Sequence, residues 1–257
     1  MMPMAQAGDL QVHFEERGTG TPVILIHGNW STCAWWEPTL DRTPAGTRAI
    51  AYDLRGRGGT VGPDSSYSIP SLAQDLGRFA DALGLEKFHL VGHSLGSAIA
   101  MEFAREAPER VLSLTAVSPS WIDGMPAKFR VPAQQEALKA NRDLLARALR
   151  PLAPQGPFGP FWDRLVDEGH AQRLEAAVAN LEALTEWAPG DALSGLPVPA
   201  TVICGSRDLL VGAETPVRVA KVLAAERVEL EGVGHCAPIE APDAFAAALW
   251  KAIGAAA

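Results

Sequence analysis

Short apolar runs alternate with stretches of helical period along most of the chain. Residues 22–26 form the first run, ending at His27-Gly28; residues 48–52 form a second, ending at Asp53 before Arg55-Gly56-Arg57-Gly58-Gly59. Residues 88–91 form a third, stopped by Gly92, and residues 111–117, 200–204 and 227–230 follow. Continuous apolar strands of this kind are buried on both faces, as in a mostly parallel sheet. Between them, Leu72, Leu76, Phe79 and Leu83 recur at helical spacing, with Ser68 and Ser71 available as N-caps and Pro70 near the start. Residues 95–107 read as a helix of small residues suited to close packing on the sheet, and Phe245, Leu249 and Ile253 mark a closing helix. The alternation predicts an α/β fold with right-handed crossovers.

One region breaks this rhythm. From Trp121 to about Gly190 no strand-like run occurs. Residues 132–150 read as one helix, and Leu174, Val178, Leu181 and Leu184 supply the apolar stripe of another. The link between them is rich in Pro and Gly. Residues 121–190 are therefore expected to be a helical cap inserted into a core built from residues 1–120 and 191–257.

The sharpest chemical signal is Gly92-His93-Ser94-Leu95-Gly96, after a strand and before a helix. A strand-to-helix turn this tight needs glycine on either side of its centre, and it holds the serine hydroxyl clear at the sheet edge. A serine hydroxyl needs a base within hydrogen-bond reach. Of the six histidines, His13 and His170 fall outside any strand end, His89 lies within a strand, and His93 is expected to point away from Ser94. His235, in the loop Gly232-Val233-Gly234-His235 after a strand, is the expected base. Such a base needs an anion to fix its tautomer. Asp208, after the run 200–204, is the expected acid, with Asp123 as its rival.

With these motifs the sequence resembles the α/β-hydrolase superfamily in its single-domain, helical-cap form. The likeness also rests on His27-Gly28-Asn29-Trp30, on Asp53-Leu54-Arg55-Gly56-Arg57-Gly58, and on Gly205-Ser206-Arg207-Asp208. It implies a mostly parallel central sheet flanked by helices, and an oxyanion hole from the backbone N–H groups of Asn29 and Leu95. His27 is then a structural residue of the oxyanion loop, and Arg55 and Arg57 brace a turn. Ser97 stands where many relatives have a second glycine. The His-Gly-Asn segment also resembles haloalkane dehalogenases, but those attack with an aspartate where this chain has Ser94, which disfavours dehalogenation.

Composition adds limits. Hydrophobic residues make up 47% and charged residues 20% of 257, ordinary for a globular enzyme. A net charge of −8 with no basic cluster argues against nucleic-acid or anionic-membrane partners. No leader-like segment or stretch of ~20 apolar residues occurs, so a cytoplasmic protein is expected. Cys33, Cys204 and Cys236 cannot all pair within one chain and are read as reduced thiols. No cysteine or histidine–carboxylate group has metal-ligand spacing, so neither metal nor cofactor is expected. Tryptophans cluster near the oxyanion loop and in the insertion, and Trp30 and Trp121 are the preferred pocket residues. These features favour hydrolysis of an apolar carboxylic ester or lactone through an acyl-enzyme. Carbon–carbon bond hydrolysis, acyl transfer and cofactor-free perhydrolysis use the same groups, and a non-catalytic small-molecule receptor is the alternative of another class.

Overall fold

The computed structural model describes residues 3–64 and 66–256. Strands β1 (Met4–Ala7), β2 (Leu10–Gly18) and β3 (Gly20–Ile26) lead to helix α1 (Glu37–Leu40) and β4 (Gly46–Tyr52). Next come α2 (Ile69–Ala82), β5 (Phe88–His93), α3 (Leu95–Glu106) and β6 (Val111–Val117). Helices α4 (Pro132–Ala140), α5 (Arg142–Leu149), α6 (Pro160–Ala171) and α7 (Leu174–Glu186) form the insertion. The chain closes with β7 (Ala200–Gly205), α8 (Glu214–Val222), β8 (Glu226–Leu230), α9 (Ala237–Glu240) and α10 (Pro242–Ala255).

The strands form one sheet in the order β1-β2-β4-β3-β5-β6-β7-β8. β2 runs antiparallel to β1 and β4, and the pairs from β4 through β8 are parallel. From β3 the chain moves to β4 on one side and then crosses back to β5 on the other. The sheet therefore reverses its direction of growth between β3 and β5, where Ile26 pairs with Gly92. A crevice opens beyond the carboxyl ends of strands at such a switch point. Both His27-Gly28-Asn29 and Ser94 emerge there.

Side chains alternate across the sheet with period two. Ile24, Ile26, Ile50, Leu90 and Leu114 pack on one face with Leu72, Leu76, Phe79 and Ile99 of α2 and α3. Val23, Leu25, Ala49, Val91 and Ile203 pack on the other with Trp36 and with Phe245 and Leu249 of α10. Phe79 stacks on Tyr52 with ring centroids 4.7 Å apart.

One expectation needs correction, and one pair of strands was not foreseen. Residues 132–150 are not one helix, because Asn141 leaves helical geometry at φ −141° and its side chain accepts from Leu144 N at 3.0 Å, starting α5 anew. Asparagine competes with helix continuation in this way. The β1–β2 hairpin was not legible from continuous apolar runs, since Leu10–Gly18 carries Glu15, Glu16 and Arg17 at its exposed end.

Candidate active site

Ser94 sits between β5 and α3 with φ 52° and ψ −118°. Backbone strain of this kind costs about 1–3 kcal/mol and persists only where the surroundings impose it. Here they do. A Cβ on Gly92 would lie 2.2 Å from the Gly96 carbonyl oxygen, and one on Gly96 would lie 2.2 Å from that of Ile26. Ser94 N donates to Val117 O at 3.0 Å. The Ser94 carbonyl accepts from Ser97 Oγ at 2.6 Å and Ser120 Oγ at 2.8 Å, while Ser120 N donates to Ser97 Oγ at 2.9 Å. Ser97 therefore ties the turn to the loop after β6, a role no glycine fills.

Asp208 and His235 are brought together: His235 Nδ1 lies 2.8 Å from Asp208 Oδ2, with both side chains buried. The carboxylate accepts, so Nδ1 carries a proton and Nε2 is the nitrogen turned away from Asp208. Asp208 Oδ1 also accepts from the N–H groups of Leu210 at 3.0 Å and Val211 at 3.2 Å. Burial pushes the Asp208 carboxyl upward, but His235 and these two N–H groups outweigh it and hold it below the usual aspartate range. Gly205 lets the two loops meet, because a Cβ there would lie 2.2 Å from Val233 O and 2.3 Å from Gly234 O. Asp123 is not at this site; it pairs with Arg218 through two 2.9 Å bonds at the surface.

The insertion grips the His235 loop. Leu152 O accepts from His235 N at 2.8 Å and Cys236 N at 3.2 Å, and Gln155 Nε2 donates to Gly232 O at 2.7 Å. Glu240 accepts from Gly234 N. No sequence signal singled out Leu152, Gln155 or Glu240, because Leu152 acts through its backbone carbonyl and the other two bond backbone atoms of the His235 loop.

Among the described residues no hydrogen bond joins Ser94 Oγ to His235, and neither Ser94 Oγ nor His235 Nε2 is among the fully buried polar atoms left without a partner. The two residues are linked through His93, whose Nε2 bonds the His235 carbonyl and whose ring lies 4.9 Å from the His235 ring. His93 is buried and stacks on Trp35.

The loop after β3 lies against this turn: a Cβ on Gly28 would sit 3.2 Å from Ser94 Cβ. His27 Nε2 accepts from Leu54 N at 3.1 Å, so its Nδ1–H donates to Gly28 O at 2.8 Å. Burial and then Arg57 lower His27 to about 4, keeping it neutral. Asn29 Oδ1 accepts from Trp30 N at 3.1 Å and from Arg57 Nη2 at 2.9 Å. Arg57 thus braces the Asn29 loop as well as its own turn, while Arg55 makes a two-pronged pair with Asp75 at 2.8 and 2.9 Å. Leu95 is the first residue of α3, and helix N-termini leave their first N–H groups unpaired within the helix.

Trp30 is buried, and its Nε1 donates to Gln135 Oε1 of α4 at 2.8 Å. The close packing continues at Gly169 of α6, where a Cβ would lie 2.2 Å from Trp30 O. Trp121 is half-buried and stacks on Phe129 with centroids 5.2 Å apart. Hollows of about 370, 480 and 440 Å³ open beside Glu102 and Trp187, beside Gln155 and Glu240, and beside Arg55 and Arg78. Ser94 and His235 line none of the three, so the reactive geometry and these hollows do not coincide.

Residues 23–248 match the alpha/beta hydrolase family. The chain belongs to that family. This hydrolase is 28% identical over 257 residues to "Putative carbamate hydrolase RutD" of Azorhizobium caulinodans, covering 95% of each chain. Its fold matches that of the enol-lactonase from Burkholderia xenovorans LB400, with a TM-score of 0.86 at 21% identity, over 98% of this chain and 100% of the other. A thermophilic esterase from Thermogutta terrifontis matches with a TM-score of 0.87 at 23% identity, over 100% of this chain and 99% of the other. Among the described residues, no helix of this hydrolase is long and apolar enough to cross a membrane.

Proposed function

We propose that this hydrolase is a serine hydrolase that cleaves a carboxylic ester or lactone, with Ser94 as nucleophile, His235 as base and Asp208 as the orienting acid. The observation that carries this reading is the buried Asp208–His235 bond of 2.8 Å, which fixes the tautomer a base needs. Ser94 Oγ attacks the acyl carbon while His235 Nε2 takes its proton, and the imidazolium is balanced by Asp208. The tetrahedral oxyanion is received by the N–H groups of Leu95 and Asn29, each worth on the order of 10²–10³ in rate. His235 then returns the proton to the leaving oxygen, and water releases the acyl group by the same steps in reverse. The bond between Ser94 and His235 forms as substrate closes the site, as catalytic hydrogen bonds often tighten only in the complex.

Residues 121–190 act as a cap over the core of residues 1–120 and 191–257, with the Trp30 and Trp121 faces lining an apolar acyl pocket. The substrate is a small apolar ester. The three cysteines are free and buried, which fits a reducing cytoplasm. A carbamate has a reacting carbonyl of the same kind, and the named relative makes carbamates the second class to assay. The test is a panel of p-nitrophenyl esters of increasing acyl length, with lactones and carbamates alongside, on the intact protein and on Ser94→Ala. Turnover of short to medium acyl esters or lactones that vanishes in the variant supports the reading. Full turnover by the variant, or activity confined to long-chain lipids, overturns the nucleophile or the substrate class respectively.

A further inference from the structure

We propose that His13, Cys33 and Asp53 form a binding site for one thiophilic divalent cation of the zinc and cadmium class, set in the core beneath the Asn29 loop. The three residues stand twenty apart in sequence, so ligand spacing gives no hint of them. The fold gathers them: His13 lies within β2, Asp53 directly follows β4, and Cys33 begins the turn before α1. All three are buried, and one ligand atom from each lies within 4.8 Å of the others.

The distances suit coordination. Cys33 Sγ is 3.7 Å from His13 Nδ1, and His13 Nδ1 is 2.7 Å from Asp53 Oδ2. Metal–sulfur bonds of about 2.3 Å and metal–nitrogen or metal–oxygen bonds of about 2.0–2.2 Å place tetrahedral S and N about 3.6 Å apart and N and O about 3.4 Å apart. The sulfur is already in place, and the carboxylate oxygen needs to retreat by roughly 0.7 Å.

The surroundings also match what holds metal ligands in position. Asp53 is oriented by the N–H groups of Cys33 and Gly59, each at 2.7 Å. His13 Nε2 is buried with no hydrogen bond, and its nearest anion is Glu15 Oε1 at 3.8 Å. A ligating histidine ordinarily donates its other N–H to a carboxylate, and Glu15 is the group placed to take that bond once it moves closer. On binding, the cation takes the place of the proton between Nδ1 and Oδ2. His13 gives up the Nδ1 proton that it shares with Asp53 and ligates with its remaining proton on Nε2, and the Cys33 thiol releases its proton to solvent. Thiolate and carboxylate together balance the two positive charges, so no net charge is buried.

This inference does not rest on the Ser94 chemistry, and its test does not read hydrolysis. The chelator-treated protein is titrated with cadmium ion while the ultraviolet thiolate-to-cadmium charge-transfer band is followed. One equivalent is expected to saturate the band, and zinc ion to bleach it by competition. Cys33→Ser is expected to lose the band, and His13→Gln, which removes a direct ligand, to weaken binding by at least the roughly 10–100-fold that loss of an outer-shell partner costs. The double variant Cys204→Ser/Cys236→Ser leaves residue 33 as the one thiol and is expected to keep the band, which decides the matter even if Cys33→Ser does not fold. No band in the intact protein, a band that survives Cys33→Ser, or one lost in the double variant overturns the proposal.

Discussion

His93, the residue before Ser94, donates from Nε2 to the backbone carbonyl of His235 at 2.9 Å. The ring is packed against Trp35, with centroids 5.6 Å apart and planes 21° apart. One buried imidazole therefore sets the separation between the two loops that carry the proposed nucleophile and the proposed base.

Burial, and then His235, lowers His93 to about 3, and burial lowers His27 to about 4, both below the ordinary 6.5. When folded, these groups stay neutral at pH values where the unfolded chain takes up their protons. The stability they contribute is complete above 6.5 and drains as the pH falls toward their folded values. Each adds a slope of at most about 1.4 kcal/mol per pH unit. In His93→Gln, urea melts between those limits are expected to show a shallower acid loss by about that slope; identical slopes contradict it.

Asp208→Asn keeps the size of the side chain but loses the charge that fixes the His235 tautomer. A fall in kcat of about 10³–10⁴ with an unchanged circular dichroism spectrum is expected. Asp123→Asn, at the surface pair with Arg218, is expected to leave kcat unaltered. Steady-state assays of both variants on one ester substrate distinguish the two acids.

Gly205→Ala is expected to push the Asp208 and His235 loops apart, since its new Cβ meets two backbone oxygens at 2.2 and 2.3 Å. Misplacement on the scale of an ångström lowers rate by about 10². Gly195→Ala is the control: its new Cβ meets nothing within 4 Å, so that its only cost is the backbone strain of a φ of 74°, which Gly205 does not have. A rate loss at residue 205 and none at residue 195 is the expected pattern.

Gln135→Leu removes the acceptor that holds the Trp30 indole. An unpaired buried N–H costs about 1–3 kcal/mol, so the melting temperature is expected to fall. If the indole lines the proposed acyl pocket without touching the reacting carbonyl, a rise in KM with kcat retained is expected as well. Unchanged melting and unchanged KM together contradict both roles.

The strands that lead to Ser94 and Asp208 were legible because each is an apolar run ending in glycine, and those two residues stand at or just beyond their carboxyl ends. β8 was read as one more buried apolar run, but Glu226, Arg227 and Glu229 are exposed and none of its residues is fully buried, as suits a strand at the sheet edge. The β1–β2 hairpin was missed because its charged residues hide its alternation. Asn141 was hidden inside an otherwise helical pattern, where its capping role depends on local backbone geometry. The contacts of Leu152, Ser97 and Glu240 with the two loops could not be read, because backbone carbonyls carry no sequence identity and a buried serine or glutamate looks like any other. The meeting of His13, Cys33 and Asp53 depends on three separate elements and has no local signature.

The most direct test is mass spectrometric mapping of the adduct formed with a fluorophosphonate probe. A single covalent label on the hydroxyl of Ser94, formed slowly or not at all in His235→Ala, is the expected result. A protein that hydrolyses esters while Ser94 stays unmodified, or that takes the label at another residue, contradicts the assignment of Ser94 as the nucleophile.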